Sequence, residues 1–355
     1  LDSGRVGAHI LCVDSAARLD LQLTGLIDSS DYTARLTGEI DWLDLKTARL
    51  ADDSLTFSSS IDVQAWANNK NEYAVKTRLD MVGLHLLDMD NLFDHIVVTA
   101  DVLQDSLDAR VDFPGAQLAF SSPVGVDSLL ADVSALGDSV ARALHVKRVD
   151  PSAWCAMLPD FQLQGRLVPE QVVEKLLAGS GVVFDSLHIS SGNAPDVPFF
   201  FEAQAEGVAL SSFAADTLTA SLHHDGERLR YAVQLGNTPA TSALLARAGV
   251  SGYVAQNELY AALRQCDQEQ VPGLVLDMGA RVSDSLLHLT LAPESPTLGV
   301  PDWSLNADNF IDYYFDGRLA ADVLLRHDIQ SFSLRSGANP GADTIYLDIE
   351  NLRLA

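Results

Sequence analysis

The sequence predicts a mainly β protein: a long antiparallel sheet, wet on one side, with a small helical insert. Apolar and polar residues alternate along many short segments, and a period of two gives each strand one apolar and one polar face. Strands buried on both faces would instead read as continuous apolar runs. Asp outnumbers Glu by 38 to 11 and Arg outnumbers Lys by 18 to 5 in the 355 residues. Glu and Lys suit helix surfaces, whereas Asp favours turns and element ends.

In chain order, Leu19, Leu21 and Leu23 form the first stripe, followed by Ala34, Leu36, Gly38 and Ile40. Ile96, Val98, Ala100 and Val102 make another, and Leu107, Ala109, Val111 and Phe113 face Asp108, Arg110 and Asp112. Phe199, Phe201, Ala203 and Ala205 alternate with Glu202, Gln204 and Glu206. Leu218, Ala220 and Leu222 are followed by Leu229, Tyr231, Val233 and Leu235, with Asp225-Gly226 between them as a hairpin turn. Leu319, Ala321, Val323 and Leu325 repeat the pattern, and Asn339-Pro340-Gly341 marks a turn before Ile345. Asp followed by Ser or Thr and then Leu or Ile recurs at 53–55, 105–107, 127–129, 185–187, 216–218, 284–286 and 343–345. Side chains that bond nearby backbone N–H groups suit the entry from a turn into a strand.

The middle changes period. Val126, Leu129, Leu130, Val133, Leu136, Val140 and Leu144 follow helical spacing, with Asp127, Asp132 and Asp138 off the stripe. Asp150-Pro151 reads as an N-cap with Pro at the first helical position, and Pro169 to Leu177 as a third helix. The expected organisation is β-rich over 1–122, helical over 123–178 and β-rich over 179–355. At roughly 10–12 residues per strand and turn, the β segments hold on the order of 20–25 strands.

Composition excludes several functions. With 47% hydrophobic residues the chain is no disordered acidic tail, and a formal charge of −26 opposes a phosphate backbone, so no nucleic acid is expected. The same charge opposes docking on anionic headgroups. No stretch suits a membrane span, and Leu1-Asp2-Ser3-Gly4 does not resemble a signal peptide, so the chain reads as an internal fragment. Cys12, Cys155 and Cys266 lie far apart and form no disulfide framework or metal motif.

Chemistry-bearing motifs are absent from the sequence: no P-loop, G-x-S-x-G or H-E-x-x-H occurs. His223 and His224 are neighbours beside a turn and point to opposite strand faces, which disfavours a shared metal. Asp88-Met89-Asp90-Asn91 begins like a calcium loop but continues with Leu92 and Phe93. With 38 Asp, a glycosidase pair of carboxylates can be drawn almost anywhere. The expectation is a non-enzyme without catalytic residues, metal or cofactor.

Gly299-Val300-Pro301-Asp302-Trp303-Ser304-Leu305-Asn306-Ala307-Asp308-Asn309-Phe310, followed by Gly317 to Leu325, resembles the TamB family of AsmA-like envelope proteins. The helical insert with Leu158-Pro159 is similar to Bacteroides-type members. The resemblance implies a sheet curled into a U-shaped β-taco groove. It also implies a periplasmic location, an inner-membrane anchor outside this chain, and an outer-membrane partner of TamA or Omp85 type. The implied work is phospholipid movement between membranes or outer-membrane protein assembly. Phospholipid acyl chains would then meet Leu19, Leu21, Leu23, Ile96, Val98, Val102, Leu107, Val111, Phe113, Phe199, Phe201, Leu218, Leu222, Val233, Leu319, Val323 and Leu325. The helix would lie against the groove through Leu129, Leu130, Val133, Leu136 and Val140. The alternative is a β-sandwich binding or adhesin-type scaffold in which each stripe packs on another sheet.

Overall fold

The structure, a computed structural model, describes residues 3–49, 55–70, 72–86, 89–169, 182–210, 213–292, 296–337 and 344–351. Among the described residues 66% are strand and 8% helix, with 24 strands in antiparallel pairing. The mainly β expectation holds. The chain divides into two compact units, Leu1–Ala131 with Pro159–Ala194, and Asp132–Leu158 with Pro195–Ala355.

The first unit holds β1 (Ser3–Val13), β2 (Ala17–Asp28), β3 (Asp31–Asp44), β4 (Leu55–Asn68), β5 (Tyr73–Leu86), β6 (Met89–Val102), β7 (Leu107–Phe113) and β8 (Ala116–Ser122). It ends with β9 (Phe161–Leu167), β10 (Val182–Val183) and β11 (Ser186–Ala194). From β1 to β9 each strand pairs antiparallel with its sequence neighbour, and β9 then pairs with β11. Its densest packing is local: Val82 and Phe93 are buried, with Phe57, Leu79, Leu84 and Ile96 against them. Beside them Met81 takes a φ of 52°, where the pairing of β4 with β5 slips by one residue.

Strand β9 lies inside the segment expected to be helical. Phe161, Leu163, Gly165 and Leu167 alternate with Gln162, Gln164 and Arg166, and burial follows that period of two. This seven-residue stripe is strand signal, and it corrects the 123–178 boundary. The third helix expected at Pro169–Leu177, apart from Pro169 itself, and the turn at Asn339-Pro340-Gly341 fall on residues outside those described.

The second unit holds β12 (Val197–Leu210), β13 (Phe213–His224), β14 (Leu229–Gly236), β15 (Arg247–Ala255), β16 (Glu258–Cys266) and β17 (Pro272–Val282). After them come β18 (Leu286–Leu291), β19 (Thr297–Leu298), β20 (Ser304–Leu305), β21 (Phe310–Tyr314), β22 (Leu319–His327), β23 (Gln330–Ser336) and β24 (Ile345–Glu350). The β13–β14 turn is the expected one: Gly226 has φ 100°, and the Asp225 carboxylate accepts from the N–H groups of Glu227 and Arg228. These bonds, with one from the Arg230 guanidinium, hold Asp225 at a pKa of about 2.

The run Gly299–Phe310 does structural work in this unit. Strand β17 pairs with both β18 and β19, and β22 with both β20 and β21, so the ladder is interrupted between short strands. Asn309, only 4% exposed, accepts from Leu291 N–H at 2.7 Å and donates to the carbonyls of Leu291 and Asn306. Asn306 accepts from Leu324 N–H and donates to the Asp322 carbonyl. Two side-chain amides thus substitute for missing strand partners, which satisfies groups that would be costly to leave unpaired. Trp303 is 2% exposed, with its ring 5.8 Å from that of His327.

The recurrent Asp-Ser/Thr-Leu signature precedes β7, β11 and β18, but not everywhere. Asp127-Ser128-Leu129 lies instead in the first turn of helix α1 (Val126–His145), where the Asp127 carboxylate suits the positive end of the helix dipole. Asp216-Thr217-Leu218 lies within β13, where the Asp216 carboxylate accepts from Thr238 N–H and Thr241 Oγ1.

Candidate functional site: one apolar face in each unit

Partners opposite one another in a ladder project to the same face, so the registers trace which side chains belong together. In the first unit Leu23 stands opposite Leu36, then Val63, Thr77, Val98, Val111 and Leu118 in successive strands. The neighbouring row runs Val6, Gly25, Ala34, Ala65, Val75, Ala100 and Ala109. A third row runs Ile27, Tyr32, Ala67, Tyr73, Val102 and Leu107. Leu21 connects through Gly38, Ile61 and Leu79 to Ile96. Leu19, Leu21, Leu23, Ile96, Val98, Val102, Leu107, Val111 and Phe113 therefore share one face.

That face is incompletely covered. Val102 is buried, but Val6, Ile10, Tyr32, Tyr73, Val98 and Leu118 are exposed, Leu118 by 48%. Small residues lower its floor: a hollow of about 380 Å³ lies over Gly25, Ala34 and Ala65, walled by Leu23, Tyr32 and Tyr73. A second, of about 360 Å³, is lined by Val111, Phe113, Leu118, Leu167, Leu187 and Ile189.

The second unit repeats the arrangement. Ala220 stands opposite Ala203 and Val233, then Val250, Leu263 and Leu276. Phe201 connects through Leu222, Tyr231, Gly252, Ala261 and Met278 to Leu291. Leu287, Tyr313 and Leu319 form a further row, and Val323 and Leu325 meet Leu334 and Phe332. Phe199 follows Phe201 by strand parity, and Leu218 stands between Ala205 and Leu235. The stripe residues share one face here too, but Val323 and Leu325 are 2% and 5% exposed, part of the packed end rather than open lining.

The helix is where the sequence misleads. No residue of α1 is buried, and Leu130, Val133 and Leu144 are more than half exposed. Leu129, Leu136 and Val140 are only half-buried. Of the residues expected to seat the helix against a groove, Leu129, Leu130, Val133, Leu136 and Val140, Leu130 and Val133 are too exposed for that seat. Helical spacing specifies an apolar stripe but not what covers it.

The chain after the helix is tied down. Lys147 Nζ sits 3.6 Å from the Phe315 ring centroid, and Val149 N–H donates to Asn257 Oδ1. Helix α2 (Pro151–Cys155) starts at the expected cap, where Asp150 accepts from Ala153 N–H. Ser152 Oγ donates to the Glu227 carbonyl and lies 3.2 Å from His224 Nε2.

The opposite face of the first unit is polar and carries exposed ion pairs such as Arg35–Asp62 and Arg78–Asp80. The two adjacent histidines diverge, with His223 3.2 Å from Glu202 and His224 meeting Ser152. Among the described residues no cluster of three His, Cys, Asp or Glu could hold a metal. The thiol of Cys155 is pushed above its ordinary pKa by burial, the reverse of an activated nucleophile. No helix among the described residues is long and apolar enough to cross a membrane. Sequence reasoning missed the bridging roles of Asn306 and Asn309, because bridging depends on a gap between strands that no local pattern reveals. No protein-family model, curated protein or solved structure matches this chain.

Proposed function

We propose that this chain is a segment of a non-enzymatic periplasmic bridge in a Gram-negative envelope. Its apolar face, curled into a groove, shields phospholipid acyl chains passing between inner and outer membranes, or supports outer-membrane protein assembly. One observation carries the reading: the registers gather the apolar stripes of each unit onto one face that is left partly exposed. A folded protein normally hides a surface of this kind, and uncovered apolar patches mark binding sites. The row from Gly25 to Ala109 crosses strands β2 to β7, about 24 Å at strand spacing. This exceeds the roughly 15 Å depth of one leaflet's hydrocarbon. Each shielded CH₂ is worth about 0.8 kcal/mol, so an apolar track needs no covalent chemistry to hold a chain.

The test is mass spectrometry of an organic extract from the protein purified after export to a periplasm. The control carries Val98→Asp, Leu118→Asp and Phe201→Asp, at positions that are not fully buried. Phospholipid in the parent, lost from a still-folded control, is the expected result. Equal phospholipid in both, or none in the folded parent, overturns the reading.

A further inference from the structure

We propose that the polar face of the first unit binds a linear anionic glycan laid across its strands. The observation is a single register row on that face: Thr24, Arg35, Gln64, Lys76, Thr99 and Arg110 stand opposite one another through β2 to β7. The row continues through Ala119 and Gln164 to Ser190 without an acidic residue, in a chain with 49 Asp and Glu. Its cations fall on every second strand, about 9.6 Å apart. A hollow of about 860 Å³ lies along the same row, and its charged lining is Arg5, Arg35 and Lys76 against Asp101 alone. Among the described residues Lys76 and Arg110 have no ion-pair partner, whereas Arg35 is fixed by two bonds to Asp62, leaving part of its guanidinium fork free.

Two features select the ligand class. The half-buried indole of Trp66 lines the hollow between Thr33 and Ala74, small neighbours that leave room for a flat ring to be stacked upon. Gln64 and the threonines supply the hydrogen bonds that hydroxyl-rich rings need. Nucleic acid has the wrong charge density, one charge per about 1.7 Å of duplex axis. A glycan with one carboxylate per disaccharide offers sparse charge and ring faces together. This site lies on the face opposite the apolar one and does not depend on the lipid reading.

The experiment is calorimetric titration of the whole chain with a hyaluronan octasaccharide at low and high salt. A neutral chitin oligosaccharide of equal length and a poly-glutamate peptide serve as comparisons. Binding that weakens with salt is expected, reduced at least tenfold by Lys76→Glu or Arg110→Glu and at least fivefold by Trp66→Ala. Val98→Asp, on the other face, leaves it unchanged, so failure of one reading does not mimic failure of the other. Circular dichroism verifies each variant's fold, and Trp66→Leu replaces Trp66→Ala if that variant does not fold. Absence of binding, equal affinity for the neutral oligosaccharide, or indifference to both charge reversals overturns the proposal. Equal affinity for poly-glutamate with no effect at Trp66 also overturns it and assigns the row to acidic peptide.

Discussion

Replacing Asn309 with alanine tests whether a side chain holds the interrupted ladder together. The substitution removes one accepted and two donated hydrogen bonds, strands the Leu291 N–H and carbonyl, and leaves the Asn306 carbonyl without that donor. Each bond contributes a net ~0.5–1.5 kcal/mol, and a buried group left unpaired costs about 1–3 kcal/mol. Partial access of water at the break brings the total to about 2–4 kcal/mol. A sheet built from neighbour contacts opens locally rather than all at once, so amide hydrogen exchange resolved to residues is the suitable assay. The Leu291 amide should exchange about 30- to 1,000-fold faster in Asn309→Ala, while amides in β2 to β5 keep their parent rates. Asn309→Asp keeps the acceptor but loses both donated bonds and sets a carboxylate against two carbonyls, so it should be at least as damaging. Unchanged exchange at Leu291 in both variants would refute the bridging role.

Three further outcomes follow from the packing. Phe93→Ala, in the buried cluster with Val82, should cost about 3–5 kcal/mol, whereas Val98→Ala on the open face should cost under about 1 kcal/mol; denaturant midpoints compare them. Gly252→Ala would drive a Cβ into the Tyr260 carbonyl and crowd the Tyr231 hydroxyl that bonds it, so a loss above ~2 kcal/mol is expected in thermal unfolding. Asp225 has a folded pKa of about 2, below its ordinary 3.8, so its contribution to the β13–β14 turn is present above the higher value and lost as pH falls through the lower. Amide shifts of Glu227 and Arg228 should titrate with that lower midpoint, and Asp225→Asn should abolish the titration.

Much of the fold was legible because alternation is local information that hairpin pairing preserves. Leu23 and Val111 lie far apart in sequence, yet each intervening register keeps residues of like parity opposite one another, and one face results. What failed was information held between elements. The stripe of α1 is real, but nothing in its spacing says whether another surface covers it. The stripe of β9 is equally plain in Phe161–Leu167, but the helical signals that flank it mask its period of two. Asp-Ser-Leu is ambiguous, since the same three residues lead into a strand at Leu107 and lie in the first turn of the helix that begins at Val126.

Consecutive pairing from β1 to β9 has a consequence for how such a chain changes over generations. Adding or deleting two strands and their turns at a hairpin leaves every other register intact, and the side that repels water stays on the same side. Length is therefore a freely adjustable trait in these strands. The Asn-bridged stretch from β17 to β22 is the contrary case, where strands out of sequence order are tied by particular amides. An insertion there would break several ties at once, so drift in length should accumulate among the simple hairpins and spare this clasp.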